Sequence, residues 1–178
     1  MRVYLAGPDV FLADPLARAA RMKAACRARG LVGVFPLDPL PQGDPEDWAG
    51  LPEALRIARR NEAHIASCDV LVANLSPFRG PSADVGTVFE VGFMRALGRP
   101  VFGWSNDARP FAERTRAFFG VAGEVDAAGM LIEDFGLADN LMIDGAIAAS
   151  GGVFVRRAGP DWQDLSAFES CLAAIIAS

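Results

Sequence analysis

Between Asp69 and Leu75 the chain reads Asp-Val-Leu-Val-Ala-Asn-Leu. A short, almost wholly apolar run of this kind is the signature of a strand buried inside a sheet. Shorter runs of the same type stand at residues 3–6, where Gly7-Pro8 ends the strand in a turn, and at 31–35 and 100–104. Met130 to Ile132 reads as a further short strand. Stretches with helical spacing fall between and after them, at 13–29, 51–67, 84–97, 111–128, 139–149 and 161–177, and Gly30 and Gly98 act as stops. Residues 36–48 are too rich in Pro for regular structure and too apolar for a linker, so they read as an ordered loop over a site. Strands alternating with helices define an α/β fold, a parallel sheet with helices on both faces and right-handed crossovers. Ligands of such sheets sit beyond the carboxyl ends of the strands. That places the loops after residues 6, 35, 75 and 104 around one site.

Scarce residues narrow the chemistry. The 178 residues, a length that fits one domain, include one His (His64), one Lys (Lys23) and one Tyr (Tyr4) against 22 acids. Proton transfer and nucleophilic attack therefore fall mainly to carboxylates. A net charge of −5 argues against a groove for long nucleic acid, which needs clustered positive charge, and leaves room for a small ligand. Cys26, Cys68 and Cys171 are far apart and odd in number, which fits a reducing compartment. His64 and Cys68 share a helix face at i, i+4 with no third ligand near, which suits packing better than a metal. No signal peptide and no apolar run of membrane-spanning length is apparent, so a cytoplasmic protein without membrane association is expected.

One acid stands where acids are costly. Glu90 lies within Val88-Phe89-Glu90-Val91-Gly92-Phe93-Met94, a helix stretch with little polar surface. A buried carboxylate must shift its pKa or find partners. Either Glu90 points outward on an ordinary amphipathic helix, or it serves a site. Gly86 and Gly92 each lower helix propensity by about 1 kcal/mol relative to Ala, which suggests close approach of a ligand or another chain. Asp84 is placed to cap this helix and could also border a cavity into which Glu90 reaches from deeper in the helix. No dinucleotide fingerprint, Walker loop or nucleophile elbow is present.

These residues carry a family resemblance. Tyr4-Leu5-Ala6-Gly7-Pro8-Asp9-Val10-Phe11, Phe35-Pro36-Leu37-Asp38, the stretch from Ala73 through Asp84-Val85-Gly86-Thr87-Val88-Phe89-Glu90-Val91-Gly92, and Asp139-Asn140-Leu141-Met142-Ile143 together resemble the nucleoside 2-deoxyribosyltransferases, from residue 1 to about 150. The resemblance implies a flavodoxin/Rossmann-like sheet of five parallel strands in the order 2-1-3-4-5. It implies transfer of 2-deoxyribose from one nucleobase to another without a metal or organic cofactor. By the same resemblance Glu90 is the nucleophile, Asp84 holds the sugar and its 5′-hydroxyl, and Tyr4 positions Glu90. Gly7 and Asp38 border the substrate. Asn140, with Met142, completes the site of a neighbouring subunit, which makes the protein at least a dimer. The partners so implied are a nucleoside and a free nucleobase.

Asn61 is a departure, because well-known relatives carry an Asp there that is thought to protonate the leaving base. An amide can bond a base edge but cannot supply a proton, which leaves Asp84, Asp38 or water for that task. The two-step chemistry is that of a retaining glycosidase: a carboxylate captures C1′ and a second nucleophile releases it. If water attacks, the same site is an N-glycosidase acting on deoxynucleosides or nucleoside 5′-monophosphates. Relatives that accept the phosphate tend to carry a small hydroxyl residue where Asp84 stands, which favours the nucleoside. A non-catalytic nucleotide-sensing domain is the third reading.

Overall fold

The computed structural model describes residues 1–159 and 161–178. Its five strands, β1 (Arg2–Ala6), β2 (Val32–Val34), β3 (Val70–Asn74), β4 (Val101–Ser105) and β5 (Phe154–Arg156), are all parallel and lie in the order β2-β1-β3-β4-β5. The helices are α1 (Pro15–Arg27), α2 (Glu53–Ala66), α3 (Val85–Ala96), α4 (Phe111–Phe119), α5 (Leu141–Ala149) and α6 (Ser166–Ala177). The expected α/β class and strand order are what the chain forms.

β3 and β4 are buried at every residue, as strands covered on both faces must be. The edge strands β2 and β5 are only three residues long and partly exposed, which limits the unpaired backbone they offer. Side chains alternate across the sheet. Val3, Leu5, Val70, Val72, Phe102 and Trp104 pack with α1 and α6 on one face. Tyr4, Ala6, Leu71, Ala73 and Val101 pack with α2, α3 and α5 on the other. This period of two turns Tyr4 toward α3.

Two elements differ from the sequence reading. Met130 to Ile132 is not a sheet strand. Leu131 makes an isolated antiparallel bridge with Val125, around a turn in which Asp126 Oδ1 accepts from the Ala128 and Met130 amides at 2.8 and 3.0 Å. The fifth strand is instead Phe154–Arg156, paired with Gly103 to Ser105. It can approach because a Cβ at Gly152 would lie 1.8 Å from the Val101 carbonyl oxygen. The helix expected over 111–128 ends at Phe119, where Gly120 takes a left-handed C-cap with φ of 67°. The loop after β4 is not part of the cavity. Asn106 donates from Nδ2 to the Asp161 carbonyl at 2.6 Å and so fastens this loop to the segment before α6.

Candidate active site

A cavity of about 330 Å³ opens beyond the ends of β1 and β2, against α2 and α3. The turn after β1 supplies Gly7, Val10 and Phe11, the turn after β2 supplies Pro36 and Leu37, and α2 supplies Ile57 and Asn61. Asp84, Gly86, Thr87 and Glu90 form the remaining wall along α3.

Glu90 faces this cavity with only 8% of its surface exposed. Its partner comes from the sheet: the fully buried Tyr4 hydroxyl donates to Glu90 Oε1 at 2.6 Å. Burial pushes the Glu90 carboxyl up to about 7. The Tyr4 hydrogen bond opposes that rise, and the nearby Asp84 charge adds to it. Burial, then the Glu90 charge and the bond to it, drives the Tyr4 phenol far above its ordinary range, so Tyr4 remains a donor. A carboxyl group so tuned can switch between acid and anion near neutral pH, and perturbed groups of this kind concentrate at functional sites.

Asp84 is the N-cap of α3, where Oδ2 accepts from the Thr87 amide and the Thr87 hydroxyl, both at 2.9 Å. It also lines the cavity, so capping does not remove it from the cavity wall. Gly86 follows, and a Cβ there would lie 3.2 Å from Asp84 Oδ2. Gly92 is different: it has open space around it and borders a separate groove between α3 and α5.

The turn after β1 depends on a buried polar set. Asp9, 1% exposed, accepts from Arg18 Nε at 2.8 Å and from Asn74 Nδ2 at 2.9 Å. The Arg18 guanidinium lies 5.7 Å from the centre of the Trp104 ring. Gly7 has φ of 151°, and a Cβ on it would come within 2.7 Å of both Asn74 Cβ and Asp9 Oδ2. Gly7→Ala is therefore expected to destabilise the protein by about 2–3 kcal/mol, because strain and overlap both act at this position. Thermal unfolding beside wild type checks it, and an unchanged melting temperature would contradict it.

Not every expected residue reaches the cavity. Asp38 lies outside it: its carboxylate pairs with Lys23 and accepts from the Phe35 amide at 2.9 Å, and the His64 ring meets its backbone carbonyl at 2.9 Å. His64 thus ties α2 to the loop over residues 36–48. The same loop is held by Arg60, which grips Asp44 with two bonds of 2.9 and 2.5 Å. Asn61 does line the cavity, and its Oδ1 is buried without a hydrogen-bond partner among the described residues. At the rim, Arg79 has a left-handed φ of 55° and lies over Phe78 and Phe11, 4.6 and 5.2 Å from the ring centres.

Asn140 and Met142 are not brought to Glu90 within one chain. They border the groove between α3 and α5. Asn140 caps α5, accepting from the Met142 amide at 3.0 Å and donating to Glu133 Oε2 at 2.7 Å. Beside it stands a residue the sequence did not single out. Asp139, fully buried, accepts from Ser82 Oγ at 2.5 Å, the Ala83 amide at 3.1 Å, the Asn140 amide at 2.8 Å and Arg114 Nη2 at 3.0 Å. This one carboxylate fixes the loop that delivers Asp84 and the start of α5 together. The only signal for it in the sequence is its place in the Asp139-Asn140-Leu141-Met142 run.

Comparison with known proteins bears on the family and the fold. The family model for nucleoside 2-deoxyribosyltransferases matches residues 3–142. An uncharacterised protein of Schizosaccharomyces pombe is 32% identical over 166 residues, covering 84% of this chain and 78% of its own. A 2-desoxiribosyltransferase from Leishmania mexicana superposes with a TM-score of 0.70 at 30% identity, over 99% of this chain and 97% of its own. The CMP N-glycosidase of Clostridium botulinum shares the fold, with a TM-score of 0.51 at 13% identity over 98% of this chain and 99% of its own. A parallel sheet in this order, with a carboxylate buried at its cavity and a family match over most of its length, places the chain in the nucleoside 2-deoxyribosyltransferase family.

Proposed function

We propose that this protein transfers a 2-deoxyribosyl group from a nucleoside to a free nucleobase, with Glu90 as the covalent nucleophile. The observation that carries the reading is the buried Glu90 carboxylate, facing the cavity and held by Tyr4 at 2.6 Å. As the glycosidic bond lengthens, positive charge develops at C1′ and the carboxylate beneath it stabilises that charge. Glu90 then bonds to C1′ while the bond to the base breaks. A second base attacks the same carbon, releases Glu90 and restores the original configuration. A 2-deoxy sugar suits this path because no electron-withdrawing 2′-hydroxyl opposes the cation.

Asp84 is assigned to the sugar hydroxyl. Both bonds from Thr87 fall on its Oδ2, which leaves Oδ1 for the substrate. Its negative charge beside Glu90 disfavours a 5′-phosphate, so the substrate is a nucleoside rather than a monophosphate. Gly7 lets the backbone pass close to the ligand, and Asn61 contacts the base. The reading calls on no metal or organic cofactor. The loop over residues 36–48 limits entry of water, which would divert the intermediate to hydrolysis.

The same reading makes the protein a homo-oligomer in which Asn140 and Met142 complete a neighbour's site. Val85, Phe89 and Met142 are 85%, 59% and 71% exposed, an apolar surface around the groove between α3 and α5 that a second copy would cover. The expected result of mixing follows. Glu90→Ala and Asn140→Ala variants, each of low activity, regain activity when refolded together, because a mixed oligomer contains one site with both residues. Absence of recovery would contradict the shared site.

Incubation with deoxyinosine and adenine tests the reaction itself. New deoxyadenosine supports transfer. Free deoxyribose alone would make the protein an N-glycosidase, and neither product from any deoxynucleoside donor would leave it a nucleotide-binding module.

A further inference from the structure

The cavity is lined by the carboxylates of Asp84 and Glu90 on α3, by the apolar side chains of Phe11, Leu37 and Ile57, and by the amide of Asn61. The cavity lining holds no Lys, Arg or His among the described residues. Two carboxylates in a largely buried pocket attract a cation and repel an anion. The amide can donate or accept a hydrogen bond but cannot release a proton.

These features set the substrate class. A neutral purine leaves with the electron pair of the C1′–N9 bond and so departs as an anion unless it gains a proton. Beside two carboxylates that departure is disfavoured, and with Glu90 engaged at C1′ and Asp84 at the sugar hydroxyl the amide of Asn61 is what remains for the base. A purine alkylated at N7 already carries positive charge. When its C1′–N9 bond breaks, the electron pair neutralises the ring and the base leaves uncharged, while a Glu90 oxygen forms the new bond to C1′. No proton moves in that step.

We propose that the cavity is matched to deoxynucleosides whose purine is cationic, such as those alkylated at N7, and that Asn61 is the residue that sets this preference. The proposal rests on the reading of Glu90 as nucleophile and adds the substrate class that the pocket selects. Water or a free base then takes C1′ from Glu90, so the chemistry either removes alkylated purine from its sugar or replaces it.

The test compares 7-methyl-2′-deoxyguanosine with 2′-deoxyguanosine. Base release is followed at pH 7.5 with the uncatalysed rate subtracted, pH being chosen from the Glu90 carboxyl at about 7. A missing general acid is worth about 10²–10⁴-fold. Wild type is expected to favour the methylated substrate by at least about 100-fold in kcat/KM, and Asn61→Asp is expected to shrink that ratio by at least about tenfold, through a faster rate on deoxyguanosine. A folded Asn61→Asp protein with an unchanged ratio overturns the role of Asn61. Equal rates on the two substrates in wild type overturn the preference while leaving Glu90's role intact. Turnover of neither substrate, or turnover that survives in Glu90→Gln, overturns the proposal together with the reading beneath it.

Discussion

Glu90→Gln is expected to reduce turnover by at least about 10³-fold and, at the same time, to make the protein more resistant to heat at pH 8. The loss follows from chemistry: an amide neither stabilises the developing charge at C1′ as an anion does nor forms the ester. The gain follows from linkage. Glu90 stands at about 7 in the folded protein against its ordinary value of 4.5. Below pH 4.5 it is protonated in both the folded and the unfolded chain, and its full contribution to stability is present. As pH rises through about 7 the folded protein must ionise a buried group, and that contribution is lost. The difference corresponds to on the order of 3 kcal/mol. Wild-type stability should therefore decline between pH 5 and 8 relative to Glu90→Gln, which has no such proton to lose. Melting curves of the two proteins across that range check it. Parallel curves would mean that Glu90 ionises freely in the folded state.

Tyr4→Phe is expected to lower activity at neutral pH by about 10–100-fold, the worth of one hydrogen bond to a charged group. It should also move the acid limb of the pH–rate profile upward. The Tyr4 hydroxyl favours the ionised carboxylate, so its removal raises the Glu90 pKa above its present value near 7. Part of the lost rate should return as the pH is raised. A purely structural role for Tyr4 would lower the rate at every pH without moving the limb. An unmoved limb, measured as kcat/KM from pH 5 to 9, would contradict the assignment of Tyr4 as the residue that holds Glu90.

Much of this was legible in the amino-acid order, for reasons that differ by residue. Glu90 stands out because an acid inside an apolar helix run has to be explained. Asp84 stands out because caps are local, and its bonds to Thr87 span only three residues. The Tyr4–Glu90 bond joins residues 86 apart. Strand alternation and helix placement must combine before that contact exists, so only the family resemblance suggested it. Asp9 and Asp139 were missed for the same reason: each is valuable for partners distant in sequence. The misplaced fifth strand has another cause. Met130 and Leu131 are apolar yet 64% and 81% exposed, whereas the true edge strand Phe154–Arg156 is short and only partly buried. Hydrophobic content is not by itself a mark of burial in this chain. Gly120, which stops α4, was visible, but the Ala- and Val-containing stretch after it outweighed that signal.

In the proposed reaction Glu90 becomes covalently joined to the sugar. Mixing the protein with a deoxynucleoside in the absence of acceptor base, quenching in acid and sequencing the digested peptides by mass spectrometry tests this directly. The expected result is one deoxyribosyl group on the peptide carrying Glu90, lost when adenine is added before the quench. A deoxyribosyl group on another residue, or rapid turnover that yields inverted product with no adduct at all, would contradict it.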